Sequence, residues 1–372
     1  MMFTVVGAPG DRRTELFTAA CRSAGLAAPR VVGWAQVLHG GEPPIVPGGA
    51  LPIVPGSLLR IDSPGGDPEV DRLLRGPGDP TRVGGGARWY AAFTAGLGRV
   101  AAAATASGAQ PLGDVDEIAV MCDKRRCHAR LRSAGVPVPE ALPPVHDYAD
   151  LRARMAQAGM GQVFVKPAHG SSASGVVALR AARGGRVRAV TSAARIGTGL
   201  VNALRVRAYE TEPEVAQLID ELAPDGLHVE RWLPKAALGG RVLDLRVVVI
   251  AGEPTHVVVR TSRSPMTNLH LGGARGSVSA VRDALGSTGW EHALDVCARA
   301  AACFPGSLMV GVDLLVQIGW RQVAVGEINA FGDLLPGITG LPGTWAEGLD
   351  TYTAQVHAAQ VRAALAAHAA AA

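Results

Sequence analysis

The chain has 372 residues, 48% of them hydrophobic and 18% charged, with a net charge of +4. This composition excludes a disordered chain, and the length exceeds one simple core, so two or three domains are expected. No apolar run reaches the roughly 18 residues of a membrane span. The basic excess is small and scattered, which argues against nucleic acid as a partner.

The N-terminal "MMFTVVGAPGDRR" lacks the basic start and long apolar core of a signal peptide. The five cysteines are Cys21, Cys122, Cys127, Cys297 and Cys303. Their odd number and the absence of a CxxC fit a reduced, cytoplasmic setting. Cys122, Cys127 and His128 are close in sequence, but C-x4-C-H is not a usual zinc spacing.

"FTVVGAPG" predicts a strand and a glycine turn, "RRTELFTAACRSAGL" an amphipathic helix and "PRVVGWAQVL" a second strand. A β-α-β opening favours a parallel sheet. The turn is only G-x-x-G and is expected to connect, not to bind a dinucleotide. The doubled "PIVPG" at 44–48 and 52–56 reads as a proline-rich loop. Helices are expected after "RIDSPGG", over "YAAFTAGLGRVAAAATASG" and over "DVDEIAVMCDKRRCHARLRS", the last ended by Pro137 and Pro139. "GQVFVKPAHGSSASGVVAL" reads as strand, loop, strand; "GLHVERWLP" as a short strand; "LDLRVVVIAGEPTHVVVRTS" as a hairpin. A helix over "WEHALDVCARAAACF", a hairpin turning at Gly319 and an Ala-rich terminal helix complete the chain.

Chemistry concentrates in two places. In "VGEINAFG", Glu327 and Asn329 are two apart on a strand and point the same way. Asp313, on the preceding strand, can face them across a hairpin. Two carboxylates and a carboxamide are hard oxygen donors that suit Mg²⁺, which usually shares its shell with substrate phosphates. A phosphate site is therefore expected, and "VKPAHGSSASGV" supplies the candidate: Lys166 closes a strand, and small residues and serines follow. It is not a Walker A loop, because no G-K-[ST] precedes a helix.

These segments, in this order over roughly residues 115–340, resemble the ATP-grasp superfamily. "DKRRCHARLRSAGVPVP", "VFVKPAHGSSASGV" and "VERWLP" are similar to its first lysine segment, its strand and phosphate loop, and its adenine linker as found in D-alanine–D-alanine ligases. "DLRVVVIAGEPTHVVVRTS…TNLHLGG" and "GVDLL…VGEINAFGDLLPG" are similar to RimK-type ligases, and "RIDSPG" to an uncharacterised bacterial branch. The resemblance implies an α/β (α+β) ATP-grasp fold. A Rossmann-like pre-ATP-grasp domain would span 1–113, a small central lid 114–228, and a C-terminal domain with the metal site and terminal helix 229–372.

The resemblance also implies roles. Lys124 and Lys166 would hold the α- and β-phosphates, with Ser171, Ser172 and Gly175 closing over the β- and γ-phosphates. Glu230, Trp232 and Leu233 would present the adenine hinge, and Asp244 and Asn268 would complete the nucleotide pocket. Asp313, Glu327 and Asn329 would bind two Mg²⁺ ions, with Mn²⁺ an acceptable substitute, beside ATP. Arg246 and Arg260 would stabilise a tetrahedral intermediate, with Lys166 acting on the transferred phosphoryl group. The implied activity is an ADP-forming carboxylate–amine ligase working through an acylphosphate on small-molecule or peptide substrates; a homodimer is compatible with it. The alternatives are a small-molecule kinase on the same scaffold and a non-catalytic nucleotide-binding protein. The sequence departs from the family in three places. The loop is one glycine short, Ala237 stands where a ribose-binding carboxylate is usual, and Gly311 stands where some relatives carry an arginine.

Overall fold

The computed structural model describes residues 1–39, 51–170, 173–182, 185–197, 199–332 and 335–371. Its elements build three sheets. The first comprises β1 (Phe3–Gly7), β2 (Arg30–Gly33), β3 (Leu58–Ile61) and β4 (Gln110–Pro111), paired in parallel in the order β2-β1-β3-β4. All five residues of β1 are buried because both faces are covered. Phe3 and Val5 meet Phe17 and Cys21 of α1 (Arg12–Ser23), while Val6 packs with Phe93, Leu97 and Val100 of α4 (Gly86–Ser107). Between these helices lie α2 (Trp34–Leu38) and α3 (Pro68–Arg75).

Two sequence expectations change here. The second strand stops at Gly33, and Trp34–Leu38 is helical. The Gln36 side chain caps the Gly33 N–H at 3.1 Å, and the buried Trp34 indole donates to the Asp62 carbonyl at 2.9 Å. The expected helix over 114–133 is two, α5 (Val115–Met121) and α6 (Lys124–Ser133). The Asp123 carboxylate breaks it by capping the N–H groups of Arg125 and Arg126.

The second sheet follows α7 (Tyr148–Gln157). It contains β5 (Gln162–Pro167), β6 (Val177–Ala181), β7 (Val187–Ile196), β8 (Gly199–Tyr209) and, after α8 (Glu212–Leu222), β9 (Leu227–Arg231). These pair antiparallel in the order β8-β7-β6-β5-β9. The long β7–β8 hairpin was not legible from the sequence, since its Arg- and Ala-rich strands do not alternate cleanly.

The third sheet is also antiparallel. β13 (Ala274–Arg275), β12 (Glu253–Ser262), β11 (Arg241–Ile250), β14 (Met309–Val316) and β15 (Val323–Asn329) run side by side, and β10 (Ala237–Leu238) pairs with β11. Period-2 alternation divides its labour. Leu243, Leu245, Val247, Val257, Val259, Val312 and Leu314 face α9 (Val278–Ala302) and its Trp290, Val296 and Cys297. The alternate residues Asp244, Arg246, Arg260 and Asp313 face the other way. The terminal helix α10 (Thr351–Ala371) packs on α1. All five cysteines are free thiols, and no described helix is long and apolar enough to cross a membrane.

Leu314 is fully buried between α9 and the sheet. Leu314→Ala should therefore cost about 3 kcal/mol by leaving a cavity, whereas Val361→Ala at an exposed position should change stability by under about 0.5 kcal/mol. Urea denaturation midpoints check both values.

Candidate active site

The polar face of the third sheet carries a row of charges whose order is set by register. Asp244 lies directly opposite Arg260, Arg246 opposite Asp313, and Asp313 opposite Glu327. A bulge at Gly326 makes the last pairing possible: Leu314 pairs with Val325, and Gly326 is the extra residue before Glu327. Arg246 Nε donates to Asp313 Oδ1 at 2.5 Å, and Arg260 reaches the same oxygen at 3.1 Å. Arg260 also donates to Asp244 Oδ1 at 2.8 Å. The second Asp244 oxygen takes Lys235 at 2.9 Å and the Thr267 hydroxyl.

Two lysines close the site from other elements. Lys124, the first residue of α6, sits 2.9 Å from Glu327 and donates to the Gly170 carbonyl at 2.6 Å. Lys166, on β5, pairs with Glu230 of β9 at 2.6 Å and lies 3.3 Å from the Gly326 carbonyl. Glu230 is buried and also accepts from His228 at 3.0 Å.

The charges hold one another ionised. Burial would pull Lys166 down, but Glu230, Glu327 and Asp313 outweigh it and raise its pKa. Burial would push Glu230 up, but Lys166 and His228 hold it down at about 2, from an ordinary 4.5. Burial likewise opposes ionisation of Asp313 and is outweighed by Arg246 and Arg260, so its carboxyl stays below the usual range. Beside this cluster lies a narrow cleft lined by the apolar Met121, Leu131, Val138 and Val325 and by the polar His128, His228, Lys124 and Glu327.

The structure thus brings together Lys124, Lys166, Glu230, Asp244, Arg246, Arg260, Asp313 and Glu327. Asn329 shares the strand face of Glu327, opposite Gly311, and its amide donates to the Gly311 carbonyl at 3.3 Å. Arg246 and Arg260, expected to face an intermediate, are paired with Asp313 and Asp244. Asn268 caps a short turn by accepting from the His270 N–H, and it is its neighbour Thr267 that reaches Asp244. The Trp232 ring packs against Phe164 with centroids 5.2 Å apart and lies under Arg180, 4.5 Å away. Leu233 follows it, partly buried. Gly175 has φ +69° and is closed in by Val83, Pro167 and Leu222. Ser171, Ser172 and Asp333 lie outside the described residues.

Sequence reasoning missed Lys235 and His228. His228 had a signal, because it shares a strand face with Glu230 just as Glu327 does with Asn329. Lys235 had none: its link to Asp244 depends on how the segment after β9 returns to β11.

No family model matches the chain, and no curated protein sequence does. Solved structures do. The ATP-grasp ligase PsnB, complexed with a minimal precursor, superposes with a TM-score of 0.56 over 97% of this chain and 98% of that one, at 18% identity. The chain has the ATP-grasp fold. D-cycloserine synthetase DcsG shares it with a TM-score of 0.56 over 97% and 100% of the two chains, at 15% identity. The macrocyclase MdnC, bound with precursor peptide MdnA from Microcystis aeruginosa MRC, shares it with a TM-score of 0.54 over 97% and 100%, at 10% identity. In this ATP-grasp fold the charge row lies on the third sheet, and Lys166 reaches it from the second.

Because Glu230 is held down, its contribution to stability is complete above about pH 4.5 and is lost as the pH falls towards 2. Glu230→Gln should destabilise the protein by about 3 kcal/mol at pH 7, since it leaves Lys166 buried without its acid. The gap between variant and wild type should narrow from pH 4.5 downward. Urea midpoints measured from pH 7 to 2.5 test this, and a constant gap would show that Lys166 does not hold Glu230 ionised.

Proposed function

We propose that the protein is an ATP- and Mg²⁺-dependent carboxylate–amine ligase that forms an amide bond through an acylphosphate and releases ADP and phosphate. The observation that carries this reading is the convergence of Lys124 and Lys166 on the Asp313–Glu327 pair from outside the sheet that bears it. The fold supports it, as do the structural neighbours: PsnB is an ATP-grasp ligase, solved also with Mg and ADP.

The donor set fits the metal. Asp313, Glu327 and Asn329 present only oxygen ligands from one face of adjacent strands. Among the described residues no group of three or more His, Cys, Asp and Glu could hold a metal ion, so substrate oxygens would have to complete the shell. Mg²⁺ there would neutralise phosphoryl charge and orient the γ-phosphate. Both carboxylates are already paired with cations. On this reading Lys124, Arg246 and Arg260 give up carboxylate partners for phosphate and intermediate oxygens when metal and nucleotide enter together. Lys166, ionised and fixed by Glu230, is the positioned cation for the transferred group. Glu230, Trp232 and Leu233 would present the hinge to the base. Asp244, held by Lys235 and Arg260, orients those two cations.

PsnB and MdnC were each solved with a precursor peptide, which supports a peptide among the substrates alongside small carboxylates and amines. The boundary near residue 113, a cytoplasmic setting and a homodimer belong to the same proposal; the second boundary, expected at 228/229, would divide β9 and is placed after Arg231 instead.

Phosphate and ADP release should be followed with Mg-ATP and pools of amino acids, small carboxylates and short peptides. Release should require both an acid and an amine, and Glu327→Gln should lower it by about a hundredfold or more. A phosphorylated product without free phosphate would favour a kinase, and failure to bind ATP would overturn the reading altogether.

A further inference from the structure

The segment between α3 and α4 belongs in sequence to the first sheet's region, yet it is attached to the second sheet. The Val83 N–H donates to the Leu200 carbonyl at 2.9 Å, and the Asn202 N–H donates to the Thr81 carbonyl at 2.8 Å. Residues 81–83 therefore add to β8, the edge strand of that sheet, and cover part of its open edge.

A second attachment lies at the start of α4. Gly85, the residue before the helix, has φ +89° and no side chain to cap it. Asp225, from the turn after α8, supplies the cap instead, accepting from the N–H groups of Gly85 at 2.6 Å and Ala87 at 3.2 Å. A carboxylate at a helix N-terminus is favoured by both hydrogen bonding and the helix dipole.

The contact is close at two glycines. A Cβ on Gly175 would lie 2.5 Å from Val83, and one on Gly86 would lie 2.6 Å from the His169 carbonyl. The His169 ring also stacks on Tyr90 of α4 at 4.1 Å. The segment is braced internally as well. Arg75 donates to the carbonyls of Arg82 and Pro80, Arg82 donates to Gly76, and Thr81 is tied to Asp79. Little order is lost when so preformed a segment docks.

We propose that the segment 76–87, with Asp225 as its positioning residue, is a latch that holds the β5–β9 sheet closed and limits the rate of nucleotide release. The kinetic half of this rests on the function proposed above. Lys166 rides on that sheet while Gly326, beside its ammonium, belongs to the third, so swinging the sheet away would first have to break the latch. No residue of the segment 76–87, nor Asp225, is among those placed in the catalytic or nucleotide site; Val83 only abuts Gly175.

The test uses full-length Asp225→Ala and a double variant, R82C/V201C. Arg82 and Val201 lie directly opposite each other across the latch pairing, at a Cα separation a disulfide can bridge. Backbone amide exchange in the nucleotide-free protein should rise about tenfold in β8 and α8 of Asp225→Ala, and stay unchanged in β14. Release of a fluorescent ADP analogue should quicken by about the same factor. Release should stop in oxidised R82C/V201C and recover on reduction. Unchanged exchange in β8, unchanged release in the oxidised double variant, or failure of the disulfide to form would each overturn the latch. If the analogue does not bind at all, the nucleotide reading fails, and the exchange measurement still decides whether the latch exists.

Discussion

Everything at the site depends on Asp313. Its carboxylate sits on an interior strand, between Arg246 on one neighbour and Glu327 on the other, and it is largely shielded from water, with 14% of the side chain exposed. A charge so placed is tolerable only when paired, because desolvation costs several kcal/mol per ion. Arg246 and Arg260 provide that pairing, and Arg260 in turn leans on Asp244 and, through it, Lys235. The strands keep this register because their other face is fully committed to α9. A one-residue slip would turn Asp313 and Arg246 into the apolar core and expose Val312 and Val247. Packing on one face thus enforces charge order on the other.

The balance of these charges bears on the proposed chemistry. Lys124, Lys166, Lys235, Arg246 and Arg260 face Glu230, Asp244, Asp313 and Glu327, so cations exceed acids by one. Bare divalent metal entering such a cluster would meet carboxylates already neutralised and a surplus of positive charge. Bare triphosphate would meet cations already engaged. Metal and phosphate arriving together supply both new partners at once, so each displaced ion finds another. This is a physical reason for the site to favour a metal–nucleotide complex over either component alone.

Much of this could be read from the sequence, and the boundary is instructive. The oxygen pair Glu327 and Asn329 and the hairpin carrying Asp313 follow from period 2 and a glycine turn, both local properties. Lys166 follows from its place at the end of a strand ahead of a loop of small residues and serines, whereas Lys124 was reached by resemblance to known motifs. What was missed is what the long-range register decides. The bulge at Gly326 aligns Glu327 with Asp313, yet a glycine in a strand does not announce which residue it displaces. Lys235 and Asp225 act on residues brought near by chain return. The ends of short elements were also misjudged where a side chain, Gln36 or Asp123, satisfied backbone N–H groups and overrode the apolar pattern.

Lys166 joins the two halves of the argument. Its strand belongs to the second sheet, its acid partner to β9 of the same sheet, and the nearest carbonyl beyond them to β15 of the third. The lysine is therefore kept ionised first by Glu230 of its own sheet and then by Glu327 and Asp313 of the third, and it is positioned by the contact between sheets. If the second sheet moves, the Lys166–Glu230 pair travels intact and only its approach to Gly326 and Glu327 changes. Glu230 moves with the lysine, whereas Glu327 and Asp313 stabilise its charge only while the two sheets are in contact. Attachments that hold the sheets together, such as that of residues 81–83 on β8, therefore bear on placement and on the third sheet's share of the lysine's charge stabilisation, while Glu230 stays beside it throughout.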